Sequence, residues 1–302
     1  SRLVHLLAAS AGDGRRMPGR LNDKCFDVRV DKPLVSRSCA ERRLASRGDI
    51  VIEELLFLGA MAFVAGLIDS AVGGGGLIQI PALFNALPEV NTATLFGTNK
   101  LASVVGTTSA AIHYGRRITI PWPIVGPAAA AAAIGAWLGA RAVSLFPPVA
   151  LRPLILALLI AVAIYTFIRK DFGIHRRGFS DRRRALRRAL GIGAVIGFYD
   201  GFFGPGTGSF LIFLFIRFFG FDFLHASAAA KIVNVATNLA AIAYFAPNGY
   251  YLPVLAVVMA IGNVGGSFLG THLALRHGSG FVRKVFLIVV SALIVKFAWD
   301  TF

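Results

Sequence analysis

Residues 66–77 read GLIDSAVGGGGL, and residues 197–208 read GFYDGFFGPGTG. Each run places an aspartate shortly before a glycine-rich stretch in otherwise apolar sequence. Glycine costs about 1 kcal/mol relative to alanine inside a helix, and Pro205 has no backbone N–H, so neither stretch favours a continuous helix. Open backbone at membrane depth is tolerated only where protein covers it or where it borders a wet cavity. The two runs therefore predict a pair of broken membrane helices.

The composition around these runs is that of a membrane protein. The chain has 302 residues, of which 56% are hydrophobic and 15% are charged, whereas a soluble domain carries about 25% charged residues. Most apolar segments are as long as a bilayer requires, but 76–88, 190–203 and 207–220, which lie beside the breaks, are too short to cross it unaided. The segments are 55–72, 76–88, 93–114, 121–144 and 150–168, then 190–203, 207–220, 225–246, 251–275 and 281–299. An all-α, polytopic helix bundle is predicted.

The chain contains an internal repeat. Corresponding residues of its two copies are always separated by the same number of positions as Asp69 and Asp200, and this separation is the repeat offset. The pairs that recur at this repeat offset without a gap include Gly66 with Gly197, Asp69 with Asp200, Lys100 with Lys231, Gly135 with Gly266 and Arg152 with Arg283. Because ionisable residues are rare in membrane spans, the recurrence indicates two homologous repeats, 51–168 and 190–302. Each repeat is predicted to contain a Gly-broken helix or re-entrant hairpin plus three long spans.

The formal net charge of +16 is concentrated outside the apolar segments. Residues 1–49 carry +5 and residues 169–188 carry +7. Residues 1–50 are predicted to be a disordered basic tail, and 169–189 a basic cytoplasmic loop rather than a nucleic-acid surface. The distribution of Lys and Arg in the core favours inverted repeats with both ends outside, whereas the basic tail favours parallel repeats, so both remain open.

Lys100 and Lys231 are the first candidates for a substrate site. A lysine in the bilayer costs about 2.5–3.5 kcal/mol on insertion scales, so each needs a partner or a water-filled cavity. Both are predicted to form the positive centre of an anion site. The alternatives are that each reaches an interface along its aliphatic stem, or is permanently paired with Asp69 or Asp200.

Polar residues at helical spacing accompany the lysines. Asn99 and Ser103 are one helical turn apart, as are Asn234 and Asn238, so each lysine has an amide or hydroxyl on its own face of the helix. Such a stripe faces protein or water rather than lipid. We predict that it contributes to substrate binding, and simple interhelical hydrogen bonding is the alternative.

The glycine-rich breaks supply the remaining candidates. A short helix that begins at a break directs free N–H groups and the positive end of its dipole toward it. The predicted substrate-binding residues there are Gly74, Gly75, Gly76, Gly206, Thr207 and Gly208. Asp69 and Asp200 are predicted either to couple transport to protons or to act as fixed counter-ions. We predict no catalytic residue, metal ligand or cofactor, because both cysteines lie in the tail and no hydrolase or nucleotide-binding signature occurs.

The two broken runs, with Thr98-Asn99-Lys100 after the first and Lys231, Asn234 and Asn238 after the second, resemble the TauE/SafE family of sulfite exporter-like permeases. The resemblance covers residues 52–302 and implies an inner-membrane protein of about eight helices that moves sulfite, sulfonates or related anions, often outward. We therefore expect a multi-pass secondary transporter that works by alternating access between the repeats, with the lipid bilayer and a small anion as its partners and no nucleic acid. A passive anion channel of the same fold is the alternative.

Overall fold

The computed structural model describes residues 48–143, residue 173 and residues 181–299. These residues form eight helices and no strand, so the predicted all-α membrane bundle is confirmed for this part of the chain. The helices are α1 (Gly48–Val72), α2 (Gly76–Ala86), α3 (Thr92–Gly115), α4 (Trp122–Ala142), α5 (Arg182–Phe202), α6 (Thr207–Phe219), α7 (Phe223–Phe245) and α8 (Pro253–Trp299). Helix α8 is interrupted at Gly278, whose φ is 73°. The predictions for most of the basic tail, for segment 150–168 and for most of the loop 169–189 lie outside the described residues. The last residues assigned to the tail, 48–50, are helical and begin α1.

The bundle exposes apolar side chains and buries polar ones. Four of the described helical stretches are long and apolar enough to cross a membrane: Ile52–Val72, Trp122–Ala142, Phe223–Phe245 and Pro253–Val289. Leu56, Ile134 and Ile261 are 68%, 67% and 70% exposed, whereas Lys100 and Lys231 are buried. This arrangement is expected where lipid rather than water surrounds the protein.

Helix α5 begins before the apolar segment to which it belongs. Asp181 accepts a hydrogen bond from the backbone N–H of Arg184 at 3.0 Å and caps a helix that starts at Arg182. That hydrogen bond and the neighbouring arginines lower the pKa of Asp181. The first two turns of α5 are therefore rich in arginine, and the helix extends into the stretch predicted as a basic loop.

The short helices α2 and α6 each fold back along the helix before them. Leu87, at the end of α2, packs in one cluster with Leu58 and Ala62 of α1. The carbonyl oxygen of Phe218, at the end of α6, accepts a hydrogen bond from Arg188 in the second turn of α5 at 3.5 Å. The pairs α1–α2 and α5–α6 are therefore helical hairpins, with the glycine-rich breaks at their tips.

The tips of the two hairpins touch. Gly73 has a φ of 68°, in the left-handed region that favours glycine, and a Cβ there would lie 2.6 Å from the Cα of Gly208. Ser209 Oγ donates a hydrogen bond to the carbonyl oxygen of Val72 at 3.2 Å and contacts that of Gly73. The breaks thus allow two backbones to meet at the centre of the bundle.

The first helix of each half packs on the last helix of the other half, where the halves are α1–α4 and α5–α8. In α8, Gly270 lies against the carbonyl group of Leu67 in α1. In α4, Gly139 lies against the carbonyl group of Phe198 in α5, so the same contact recurs at the repeat offset. Small residues permit this close backbone approach between membrane helices.

Equivalent helices of the two halves run in opposite directions. Gly97, near the start of α3, lies against Phe245 at the end of α7. Tyr114, at the end of α3, and Ser227, near the start of α7, donate hydrogen bonds of 2.9 and 3.1 Å to the successive carbonyl oxygens of residues 70–71. The start of α3 therefore meets the end of α7, and the end of α3 meets the start of α7.

One end of the bundle is basic. Arg188 contacts the end of α6, where Arg217 also lies. Helix α7 begins beside it, and the N–H of Leu224 donates to Ser279 Oγ at 3.2 Å, which brings the break in α8 to the same end. Residues 116–117, both arginine, follow the end of α3, which meets the start of α7. These basic residues thus lie at the same end of the bundle as the start of α5.

The packing of α4 on α5 can be tested with two glycines of α4. Gly139→Ala is expected to lower stability by about 1–3 kcal/mol, because its Cβ would collide with the backbone of α5. Gly126→Ala is the matched control, since no atom lies within 4 Å of a Cβ at that position. Thermal unfolding of the purified protein in detergent measures both. Equal unfolding temperatures for the two variants would contradict the described interface.

Candidate functional site

A small cavity of about 40 Å³ lies where the tips of the two hairpins meet. It has room for a few water molecules or one small ion. All the predicted binding residues line it except Lys231, and both Asp69 and Asp200 line it as well. The structure therefore brings together residues that are far apart in the chain, such as Gly74 and Asn238.

The first aspartate pairs with the second lysine. Lys231 Nζ lies 2.6 Å from Asp69 Oδ2, and the Lys231 side chain is completely buried. The other carboxylate oxygen, Oδ1, accepts the backbone N–H groups of Gly74 and Gly75 at 3.1 and 3.2 Å. Both carboxylate oxygens of Asp69 therefore have partners within the protein. Lys231 lies behind it and does not line the cavity.

The second aspartate pairs with the first lysine. Lys100 Nζ lies 2.8 Å from Asp200 Oδ2, and the two side chains are 5% and 6% exposed. Both pairs therefore cross between the halves, and one is related to the other by the repeat offset. Crossed pairing follows from the inverted packing, because the hairpin tip of each half lies against α3 or α7 of the other half.

The ion pairs change the expected electrostatics of the site. The sequence leaves open whether the two lysines form the positive centre of an anion site or are each paired with Asp69 or Asp200. In the structure each lysine has a carboxylate partner, so the four ionised side chains carry no net charge. A buried lysine requires such a partner, because isolated burial of its charge costs several kcal/mol. Any anion in the cavity is then bound by hydrogen-bond donors and helix dipoles in a locally neutral environment.

The surroundings of the two carboxylates differ. Gly74 donates its N–H to Asp69, whereas the position at the repeat offset in the second half is Pro205, which has no N–H. Asp200 Oδ2 lies close to Lys100, but no side-chain or backbone group among the described residues reaches it with hydrogen-bond geometry. Asp69 is therefore held by more donors than Asp200.

The polar faces of α3 and α7 form the opposite wall of the cavity. Asn99, Ser103, Asn234 and Asn238 all line it, as the helical spacing predicts for residues on one face. Asn238 Nδ2 donates to Thr107 Oγ1 at 3.4 Å, and these two residues are themselves related by the repeat offset. The stripe thus both lines the cavity and joins the two helices, and its part in substrate binding stays a prediction.

Two further amides line the cavity that the sequence did not single out. Gln79, in the first turn of α2, and Asn263, in α8, join through a hydrogen bond of 3.1 Å from Asn263 Nδ2 to Gln79 Oε1. The position of this glutamine, one turn after a break in a mostly apolar short helix, is the signal that could have identified it. Asn263 has no comparable sequence signal.

Among the described residues, no group of three or more His, Cys, Asp or Glu side chains could hold a metal ion.

Comparison with known proteins places the chain in a family. Residues 58–297 match the sulfite exporter TauE/SafE family. The chain is 36% identical over 253 residues to a "probable membrane transporter protein ORF9" of Sinorhizobium sp, which is 83% of this chain and 95% of that protein. No solved structure matches this chain.

Two other bacterial relatives are also named probable membrane transporter proteins. Identity is 34% over 249 residues with the "probable membrane transporter protein YfcA" of Escherichia coli K12, covering 82% of this chain and 91% of that protein. It is 31% over 252 residues with a "probable membrane transporter protein" of Haemophilus influenzae, covering 83% and 97%. The chain belongs to the TauE/SafE family of membrane transporters.

Proposed function

We propose that this protein is a secondary transporter that moves a small anion, such as sulfite or a sulfonate, out of the cell across the cytoplasmic membrane. The observation that carries the proposal is the small polar cavity at the meeting point of two broken hairpins. Paired interrupted helices in corresponding positions are where transporters with inverted repeats bind their substrates. Transport rather than catalysis is the activity that such a site supports.

An anion fits the donors that the breaks provide. Helices α2 and α6 both start at the cavity, where Gly76, Thr207 and Gly208 line it. Several of their first N–H groups already donate to carbonyl oxygens of the breaks, such as Leu77 to Gly74 and Thr207 to Gly204. It is therefore chiefly the positive ends of the two helix dipoles that favour an oxyanion. Because the formal charges of the two ion pairs sum to zero, the charge of a bound anion is not compensated by them, and a monoanion costs less to bury than a dianion.

The opposite directions of the two halves support alternating access. In transporters of this kind, one repeat rocks against the other around a fixed site, which opens alternately to each side. The halves contact each other through small residues such as Gly139 and Gly270, which leave smooth helix surfaces. We place the basic end of the bundle in the cytoplasm, since Lys and Arg accumulate on that side.

Flux through purified protein in liposomes tests this proposal. Labelled sulfite is expected to accumulate above its equilibrium level when a proton gradient is imposed, with methanesulfonate competing. Lys100→Ala is expected to reduce flux at least about tenfold, because it removes the partner of Asp200. Gly191→Ala, where no atom lies within 4 Å of the new Cβ, is the control and should transport normally.

The outcomes separate the candidate functions. Flux that only dissipates a sulfite gradient, and never builds one, would indicate the passive channel. Absence of flux for sulfite, sulfonates and chloride in protein that remains folded would contradict both.

A further inference from the structure

We propose that Gln79 is a substrate-binding residue whose side-chain N–H₂ group donates hydrogen bonds to an oxygen of the transported oxyanion. This inference rests on the proposed function and names a donor within that site. Gln79 lines the cavity and is 1% exposed. Its Nε2 atom is buried and has no hydrogen-bond partner among the described residues. Because leaving a buried amide donor without a partner is costly, an occupant that accepts its hydrogens would be bound favourably.

The other end of the Gln79 amide is held by two donors. Asn263 Nδ2 donates to Gln79 Oε1 at 3.1 Å, and Ser103 Oγ donates to the same oxygen at 3.4 Å. Because the oxygen is the acceptor of both bonds, the nitrogen is the atom left for a ligand. Ser103 and Asn263 belong to α3 and α8, so three helices fix the orientation of one amide.

The arrangement is present in one half only. At the repeat offset, the positions that correspond to Gln79 and Asn263 are Phe210 and Ala132, which are apolar and do not line the cavity. Other polar residues of the cavity do correspond between the halves, such as Ser103 with Asn234 and Thr107 with Asn238. The amide pair therefore makes the cavity asymmetric and gives an oxyanion one preferred side.

The donor predicts the class of ligand that the site selects. A sulfonate or sulfite oxygen is a strong acceptor that can take a directional bond from an amide, and a hydrogen bond to a charged acceptor is among the stronger ones in proteins. Gln79 would then raise affinity for oxyanions in particular, rather than for anions in general. Asn263 and Ser103 act as positioning residues through Gln79.

Binding of sodium sulfite and of sodium methanesulfonate to the purified full-length protein in detergent tests the inference. Gln79→Met keeps the length of the side chain and removes the donor, so both ligands are expected to bind roughly 10- to 100-fold more weakly. The unfolding temperature without ligand is expected to fall, because methionine also removes the Oε1 atom that accepts hydrogen bonds from Asn263 and Ser103. Affinities are therefore compared only in protein that remains folded. Phe210→Met, at the corresponding position of the second half, should leave both affinities unchanged.

A second variant covers the case in which Gln79→Met does not fold. Gln79→Glu preserves the acceptors for Asn263 and Ser103 but presents a carboxylate to the anion, so binding is expected to be lost in folded protein. Parent-like affinity in either folded variant would overturn the role of Gln79 while leaving the transport proposal intact. If the parent itself bound neither ligand, the proposed function would fail first, and the inference with it.

Discussion

Replacing Lys231 by methionine alone is expected to destabilise the protein by about 3–5 kcal/mol and to abolish transport, because the Asp69 carboxylate, whose side chain is only 20% exposed, would lose its charged partner. The Lys231→Met/Asp69→Asn double variant is expected to recover most of this stability, since it removes both charges together. Its asparagine can still accept the N–H groups of Gly74 and Gly75. Transport should stay absent in the double variant, which separates folding from function.

Thermal unfolding in detergent and liposome flux measure the two effects. An exposed ion pair provides the control: Arg184 lies 3.5 Å from Asp181, with side chains 63% and 47% exposed. Arg184→Met should change neither stability nor flux appreciably, because solvent screens that pair. A Lys231→Met protein as stable as the parent would show that the buried pair does not form.

Exchanging charges between the halves is expected to distinguish crossed pairing from pairing within one half. In the Lys100→Asp/Asp200→Lys variant, the two positions that face each other exchange their charges, so opposite charges still meet. In the Asp69→Lys/Lys100→Asp variant, the composition and net charge are the same, but two carboxylates would face each other and two ammonium groups would do likewise. The second protein should therefore give at least about tenfold less folded material.

Size-exclusion chromatography of the detergent-solubilised proteins, with equal expression controlled by immunoblot, measures the difference. Because both variants carry the same number of charges in the membrane, insertion cost alone predicts equal yields. Equal recovery of well-folded protein would contradict the crossed pairs. If the first variant were the poorly folded one, pairing within each half would be favoured instead.

Much of the architecture follows from local patterns. The breaks after Asp69 and Asp200 depend on the helix penalties of glycine and proline, which act within a few residues. The apolar stretches set the spans by their length, and helical spacing places Asn99 and Ser103 on one face with Lys100. The start of α5 is less predictable, because its cap at Asp181 stabilises a helix beyond the apolar segment.

The polar wall of the cavity is only partly predictable. Ionisable residues stand out in an apolar chain, so the lysines and aspartates are recognisable from sequence. Gln79 and Asn263 are neutral, and a single amide in a span carries no comparable energetic signal. Their importance arises from a hydrogen bond between residues that are distant in the chain and lie in different halves, which no local pattern encodes.

The amino-acid sequence alone requires that two lysines and two aspartates be compensated within the membrane, because an isolated buried charge is too costly. It leaves two possible partners for each carboxylate, since the repeats are alike. The fold selects one of them: the halves run in opposite directions, so each hairpin tip lies against the polar helix of the other half. The lysines thereby neutralise carboxylates, as the pairing alternative predicts, because ion pairing acts over a few ångströms and only the packing of the helices sets those distances.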